Sequence, residues 1–157
     1  MSIRVKTDKE NVDWEAVAAL LSFYGLSHLS AAEQETVFRN SAVVAFIYDD
    51  DRLIGCGRAL SDGVCQAAIY NIALDESYHG RQLGRLIIDS LLAQLQGQTV
   101  ILYTHPQTVA MYEKFGFRRQ KTGFVLFAGG EDRIKKMEEM DFLLPEGYRF
   151  GNPDYDS

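Results

Sequence analysis

Several things are scarce in this chain, and each scarcity narrows what it does. A basic excess is missing: 16 Lys and Arg stand against 22 Asp and Glu, a net charge of −6. Nucleic-acid binding needs a cationic face, so that class is disfavoured. Long apolar runs are missing too, so no segment approaches a membrane span. The opening residues, Met1 to Lys6, have no apolar stretch of the kind that marks a signal peptide. Cysteine is limited to Cys56 and Cys65. If these flank a hairpin centred near Asp62, Cys65 faces Ala59 rather than Cys56, so no disulfide is expected. A reducing cytoplasm is then the default compartment. Repeats, low-complexity tracts and linkers are likewise missing.

What is present is ordinary for a soluble globular protein: 46% apolar and 24% charged residues. A chain of 157 residues suffices for one domain with a substantial core. Residues 1–130 read as that domain. Residues 131–157 read as an acidic extension, with eight acids against four bases, that packs on the domain or on a partner subunit. A homodimer is therefore a possible assembly.

The patterning alternates between helix and strand. Ile3 to Lys6 alternates like a strand. A helix follows, capped by Asn11 or Asp13, with Trp14, Val17, Ala18 and Leu21 on its apolar face and Gly25 as its stop. Ser30-Ala31-Ala32-Glu33 has capping-box spacing and opens a second helix to about Asn40. Val43–Tyr48, Leu53–Leu60 and Cys65–Leu74 read as a three-strand meander turning at residues 49–51 and 61–63. From about Gly80 to Gln96, Leu83, Leu86, Ile87, Leu91 and Leu95 recur at helical spacing. Val100 to Tyr103 is a short apolar strand. Pro106 suits the first turn of a helix ending at Gly116. Residues 117–119 and 124–127 read as a closing hairpin, and charge spacing after Gly130 suggests a short helix. The strand, helix and strand from Leu74 to Tyr103 have ordinary crossover length, so those strands should be parallel. The fold class is α/β (α+β): a mixed, mostly antiparallel central sheet flanked by helices.

Chemistry concentrates in two segments. In Leu74-Asp75-Glu76-Ser77-Tyr78-His79-Gly80-Arg81-Gln82-Leu83-Gly84-Arg85 a strand ends, turns and opens a helix on Gly, Arg and Gln. A helix opening carries unpaired N–H groups and the positive end of a macrodipole, which suits a phosphate or pyrophosphate. Gly80 and Gly84 allow close approach, and Arg81 and Arg85 add cationic donors. Further on comes Ala110-Met111-Tyr112-Glu113-Lys114-Phe115-Gly116-Phe117. The bland alternatives are a solvated turn for the first segment and a core aromatic for Tyr112.

With this order of elements, the two motifs resemble the GNAT superfamily of N-acetyltransferases from about Ile3 to Phe127. The family signature Q/R-x-x-G-x-G/A falls on His79-Gly80-Arg81-Gln82-Leu83-Gly84. Only Gly84 matches strictly: His79 stands for Arg or Gln, and Gln82 for Gly. His105 stands where many members carry a cofactor-contacting Asn. No metal is expected, because no ligand partners accompany the acidic turn at 49–51. The resemblance implies acetyl-CoA as co-substrate. Backbone N–H groups from Gly80 to Arg85, Leu83 among them, would hold its pyrophosphate. Ile72, Ala73 and Leu74 would pair with its pantetheine arm. It implies Tyr112 as the general acid on the departing thiolate and an N–H near Ile72 as oxyanion donor. Many members carry a Glu on the fourth strand as base; Asn71 occupies that neighbourhood here and cannot serve. Tyr70, His28, His105 or a water chain remain as candidates. The acceptor is expected to be a small-molecule primary amine. The alternatives are a protein or peptide amine, or a non-catalytic acyl-CoA-binding module. A docking role for Phe142–Pro145 is a further alternative.

Overall fold

A computed structural model describes residues 1–148. The end of the acidic extension, residues 149–157, lies outside the described residues. The chain forms two compact units, Met1–Leu102 and residues 103–157.

The first unit holds a five-stranded sheet in sequential order: β1 (Ile3–Lys6), β2 (Val43–Asp49), β3 (Arg52–Ser61), β4 (Gln66–Leu74) and β5 (Thr99–Ile101). The first three pairings are antiparallel, and β4 with β5 is parallel, as the crossover length predicts. Pairing with β5 covers only Gln66 to Ala68 of β4. Beyond that point β5 ends and β4 runs on to Leu74.

Three helices clothe this sheet: α1 (Trp14–Phe23), α2 (Ala31–Arg39) and α3 (Leu83–Ala93). Asp13 caps α1 by accepting from the Ala16 N–H. Ser30 and Glu33 close the capping box of α2. On one sheet face Val17, Leu21 and Phe38 bury against Val44, Phe46 and Cys56. Trp14, Phe38 and Phe46 form a ring cluster with centroids 5.5–5.8 Å apart. On the other face α3 buries Leu83, Ile87, Ile88 and Leu91, and Ile87 packs onto the glycines of β3.

Two expectations need correction. The helix expected from Gly80 starts only at Leu83, because Gly80 (φ +82°) and Gln82 (φ +59°) are left-handed and cannot continue a right-handed helix. The closing hairpin over 117–119 and 124–127 does not form. β-propensity reports what suits a pleated surface but does not supply a ladder partner. Phe124 and Leu126 are fully exposed.

The second unit contains a 3₁₀ turn (Pro106–Thr108), α4 (Val109–Glu113) and α5 (Gly130–Glu139). α5 buries Met137. Phe142 lies edge-on to Tyr103 and His105. Among the described residues no helix is long and apolar enough to cross a membrane.

Candidate active site

The far end of β4 is irregular. Cys56 of β3 pairs with Ala73, and Arg58 pairs with Tyr70, so Asn71 and Ile72 together oppose Gly57 alone. That is a β-bulge. Asn71 takes the left-handed conformation, φ +57°. Its side-chain oxygen accepts from Arg58 Nε at 2.7 Å, and its carbonyl accepts from Cys56 Sγ at 3.5 Å. Burial pushes the Cys56 thiol up to about 12, so it remains a thiol donor. The bulge turns the backbone of Ile72 and Ala73 where β5 no longer pairs with β4.

Strand β4 ends in a three-way contact. The Leu74 carbonyl accepts from the Tyr24 hydroxyl at 2.5 Å and lies 2.9 Å from His79 Nε2. Tyr24 and His79 are 3.0 Å apart, with their rings stacked. His79 thus ties the end of β4 to the last turn of α1. Burial raises the Tyr24 phenol above its ordinary value, and the negative charges of Glu76 and Asp75 add to that. Tyr24 was not singled out from the sequence. A tyrosine at a helix end gives no sign that it will reach a strand carbonyl fifty residues away.

The start of α3 is open. Gln82 makes no side-chain cap, and the first turn holds no acidic residue. Gly84 has an ordinary helical φ, and a Cβ built there meets nothing within 4 Å. Internal packing therefore does not require glycine at 84, and the space above it is free for a ligand. Leu83 buries its side chain and contributes only backbone. Arg81 lies over the Tyr78 ring at 5.5 Å, and Arg85 pairs with Asp89 at 3.4 Å. Ile72, Ala73, Leu74 and residues 79–85 thus gather around the ends of β4 and α3 within the first unit. The residues present fit a diphosphate bearing an extended amide arm: a helix opening for the anion and a length of strand beyond its pairing with β5 for the amides.

His105 and Tyr112 belong to the second unit. His105 caps the 3₁₀ turn, its Nδ1 accepting from the Gln107 N–H at 3.1 Å. Tyr112 is half-buried on α4, between the rings of Phe115 and Phe117. Burial raises its phenol above the ordinary value, and a hydrogen bond with Thr104 opposes that shift. Of the candidate bases, His28 Nδ1 is 3.1 Å from the Ser22 hydroxyl, and Tyr70 lies under the Arg58 guanidinium. Among the described residues no group of three or more His, Cys, Asp or Glu is placed to hold a metal.

Comparison with known proteins agrees with this geometry. The acetyltransferase (GNAT) family matches residues 12–117. An uncharacterised N-acetyltransferase of Porphyra purpurea, ycf52, is 29% identical over 90 residues, which cover 54% of this chain and 52% of that protein. Histone acetyltransferase TAP1 of Glycine max is 27% identical over 127 residues, 72% of this chain and 55% of that protein. Serotonin N-acetyltransferase 2 of rice is 33% identical over 69 residues, 42% of this chain and 34% of that protein. The chain thus spans about half the length of the first of these relatives. Among solved structures, a probable acetyltransferase from Staphylococcus aureus superposes with a TM-score of 0.69 at 28% identity, over 80% of this chain and 99% of its own. One from Xanthomonas campestris reaches 0.73 at 19% identity, over 83% and 96%, a likeness of fold. The match of the family over residues 12–117 and the likeness to solved acetyltransferases carry one conclusion: this chain belongs to the GNAT family of acetyltransferases.

Proposed function

We propose that this protein transfers an acetyl group from acetyl-CoA to a primary amine, most simply that of a small molecule. The observation that carries this reading is the uncapped start of α3 with free space over Gly84. Bound there, acetyl-CoA supplies an activated acetyl thioester. The N–H groups from Gly80 to Arg85 hold its pyrophosphate, aided by Arg81 and Arg85. The backbone of Ile72 and Ala73, beyond the end of β5, takes the amide arm. The carbonyl of Leu74 is already engaged by Tyr24 and His79, so it serves the fold of the site rather than the ligand.

The amine attacks the acetyl carbonyl directly, in a ternary complex: the C–N bond forms, the C–S bond breaks, and the proton shed by the nitrogen passes to water, from which the Tyr112 phenolate is reprotonated. An N–H near Ile72 stabilises the developing oxyanion. Tyr112 gives its phenolic proton to the departing sulfur. The raised pKa of Tyr112 supports that role, because the phenol stays protonated across the neutral range. His105 departs from the family's pattern, standing where many members carry a cofactor-contacting Asn, and its ring caps the 3₁₀ turn.

A second reading is acetylation of a protein amine. It draws support from the soybean relative named as a histone acetyltransferase, whose match covers 72% of this chain. The net charge of −6 suits a cationic acceptor of either kind.

Calorimetry with acetyl-CoA, followed by a thiol-release assay over amines, amino acids and peptides, tests the reading. Binding and turnover on one acceptor class are expected. No binding at millimolar acetyl-CoA would overturn it. Gly84→Glu fills the free space with a negative charge, so this variant should fold and lose acetyl-CoA binding. Normal binding by a folded Gly84→Glu protein would put the diphosphate elsewhere.

A further inference from the structure

We infer that Arg58 is a positioning residue: through Asn71 it locks the bulge of β4 and thereby aims the backbone of Ile72 and Ala73. This rests on the acetyl-transfer reading, in which that backbone meets the reacting acetyl group.

The need for a lock follows from the local backbone. Two residues oppose one at Asn71–Ile72, so the β3–β4 ladder cannot hold both in register. Asn71 is also left-handed at φ +57°, a conformation that Asn tolerates better than most residues but still at a steric cost. Left to itself, such a segment relaxes towards extended backbone. Something must hold it, and the side chains around it do.

Two supports converge on Asn71. Arg58 Nε donates to Asn71 Oδ1 at 2.7 Å, a part-buried bond with a charged donor. Cys56 Sγ donates to the Asn71 carbonyl from the neighbouring strand. Arg58 is held in turn: Nη1 donates to Ser41 Oγ at 3.3 Å, and its guanidinium lies 5.0 Å from the centre of the Tyr70 ring. Ser41 is buried and anchored, its hydroxyl donating to the Val37 carbonyl at 2.9 Å. Lys9 Nζ donates to the Ser41 carbonyl at 2.6 Å. A continuous path therefore runs from the end of α2 through Ser41 and Arg58 to the bulge. Asn71 stands where a strand base is usual in the family and cannot act as one. Its amide oxygen has a different use, as the handle by which Arg58 grips the backbone.

The test uses Arg58→Met, which keeps the stem over Tyr70 and removes the donors. Arg58→Leu, which likewise carries no donor, is the second variant should the first not fold. Hydrogen exchange read by NMR should show the Asn71, Ile72 and Ala73 amides exchanging about tenfold faster, with the Gln66–Ala68 amides unchanged. On the acceptor found for the wild-type protein, kcat should fall about tenfold with KM nearly constant, as expected when donors lose their aim. Glycine reaches the left-handed region without an anchor. In an Asn71→Gly background, Arg58→Met should therefore cause no further loss of kcat. Unchanged exchange at the bulge in Arg58→Met, or in Arg58→Leu if only that variant folds, would overturn the inference. So would an equal loss of kcat from Arg58→Met in both backgrounds, which would make Arg58 a substrate contact. The exchange measurement needs no turnover. If wild-type protein neither binds acetyl-CoA nor transfers acetyl, the acetyl-transfer reading fails, and the exchange result still decides whether the lock exists.

Discussion

Gly57 of β3 lies directly beneath Ile87 of α3: a Cβ at 57 would come within 2.7 Å of Ile87 Cγ2 and 3.1 Å of Leu91 Cδ1. The same glycine faces the two bulge residues of β4. One position thus serves both the packing of the helix and the shape of the site strand. Gly57→Ala should destabilise the protein by ~1–3 kcal/mol, the usual cost of overfilling a packed core. Ile87→Ala removes the opposing methyl, so the double variant should lose less than the sum of the two singles. Denaturant melts of the four proteins give that difference. Additive losses would mean that the two atoms do not meet.

Gln82 offers a gain in stability. It sits at φ +59° where the family signature carries glycine. The left-handed conformation costs a side-chain-bearing residue ~1–2 kcal/mol, and glycine returns ~0.5–1 kcal/mol of that through the entropy of the unfolded chain. Gln82→Gly should therefore raise the melting temperature slightly and leave acetyl-CoA affinity equal or better. A lower melting temperature would show that the Gln82 side chain makes a contact worth more than the strain.

Tyr112→Phe removes one hydroxyl and little volume. The fold and acetyl-CoA affinity should survive, and kcat should fall ~10²–10⁴-fold if the phenol protonates the departing sulfur. The loss should lie in kcat more than in KM. The sign of the pH effect follows from the upward direction of the Tyr112 shift. The acid form persists beyond the ordinary tyrosine range of ~10, so the wild-type alkaline decline in kcat lies above that, and the variant should lack it. A variant with wild-type kcat would leave Tyr112 as packing among Phe115 and Phe117.

Alkaline stability should depend on Cys56. Its buried thiol is pushed from 9.0 up to about 12. Between those values the unfolded chain has lost a proton that the folded chain retains. Its contribution is therefore complete below pH 9 and disappears as pH approaches 12. Cys56→Ala should be less stable near neutrality, through a small cavity, yet fall less steeply over that window. Tyr24, Tyr78 and Tyr112 are also raised, so the comparison between the two proteins, not the slope of either, isolates the thiol. Equal slopes would refute it.

The sequence was legible wherever a local rule decides the outcome. Ser30 and Glu33 sit at capping-box spacing and close that box. Gly25, at φ +67°, ends the turn after α1. The residues between β4 and β5 are enough for a crossover helix, and the two strands are parallel. Legibility failed where a residue type permits several backbones. Asn is tolerated in the left-handed region but does not require it, and Gln is no natural occupant of it, so neither the bulge at Asn71 nor the late start of α3 after Gln82 was visible. Arg58 was invisible for a related reason: a charged residue inside a strand reads as solvent-facing until its partner across the bulge is known. The candidate cofactor residues around β4 and α3 could be placed from the pattern, but what holds them there could not.

The sequential order of the five strands also bears on how the protein folds. β2, β3 and β4 are joined by turns of a few residues, so their contacts close small loops at little entropic cost. β1 must wait for residues 7–42 to be gathered in before it meets β2, and β5 for residues 75–98 before it meets β4. The meander is therefore the natural nucleus, with the outer strands added late. Asn71 and Arg58 both lie inside that meander, so the bulge of β4 should take shape early in folding, before the parallel strand beside it arrives.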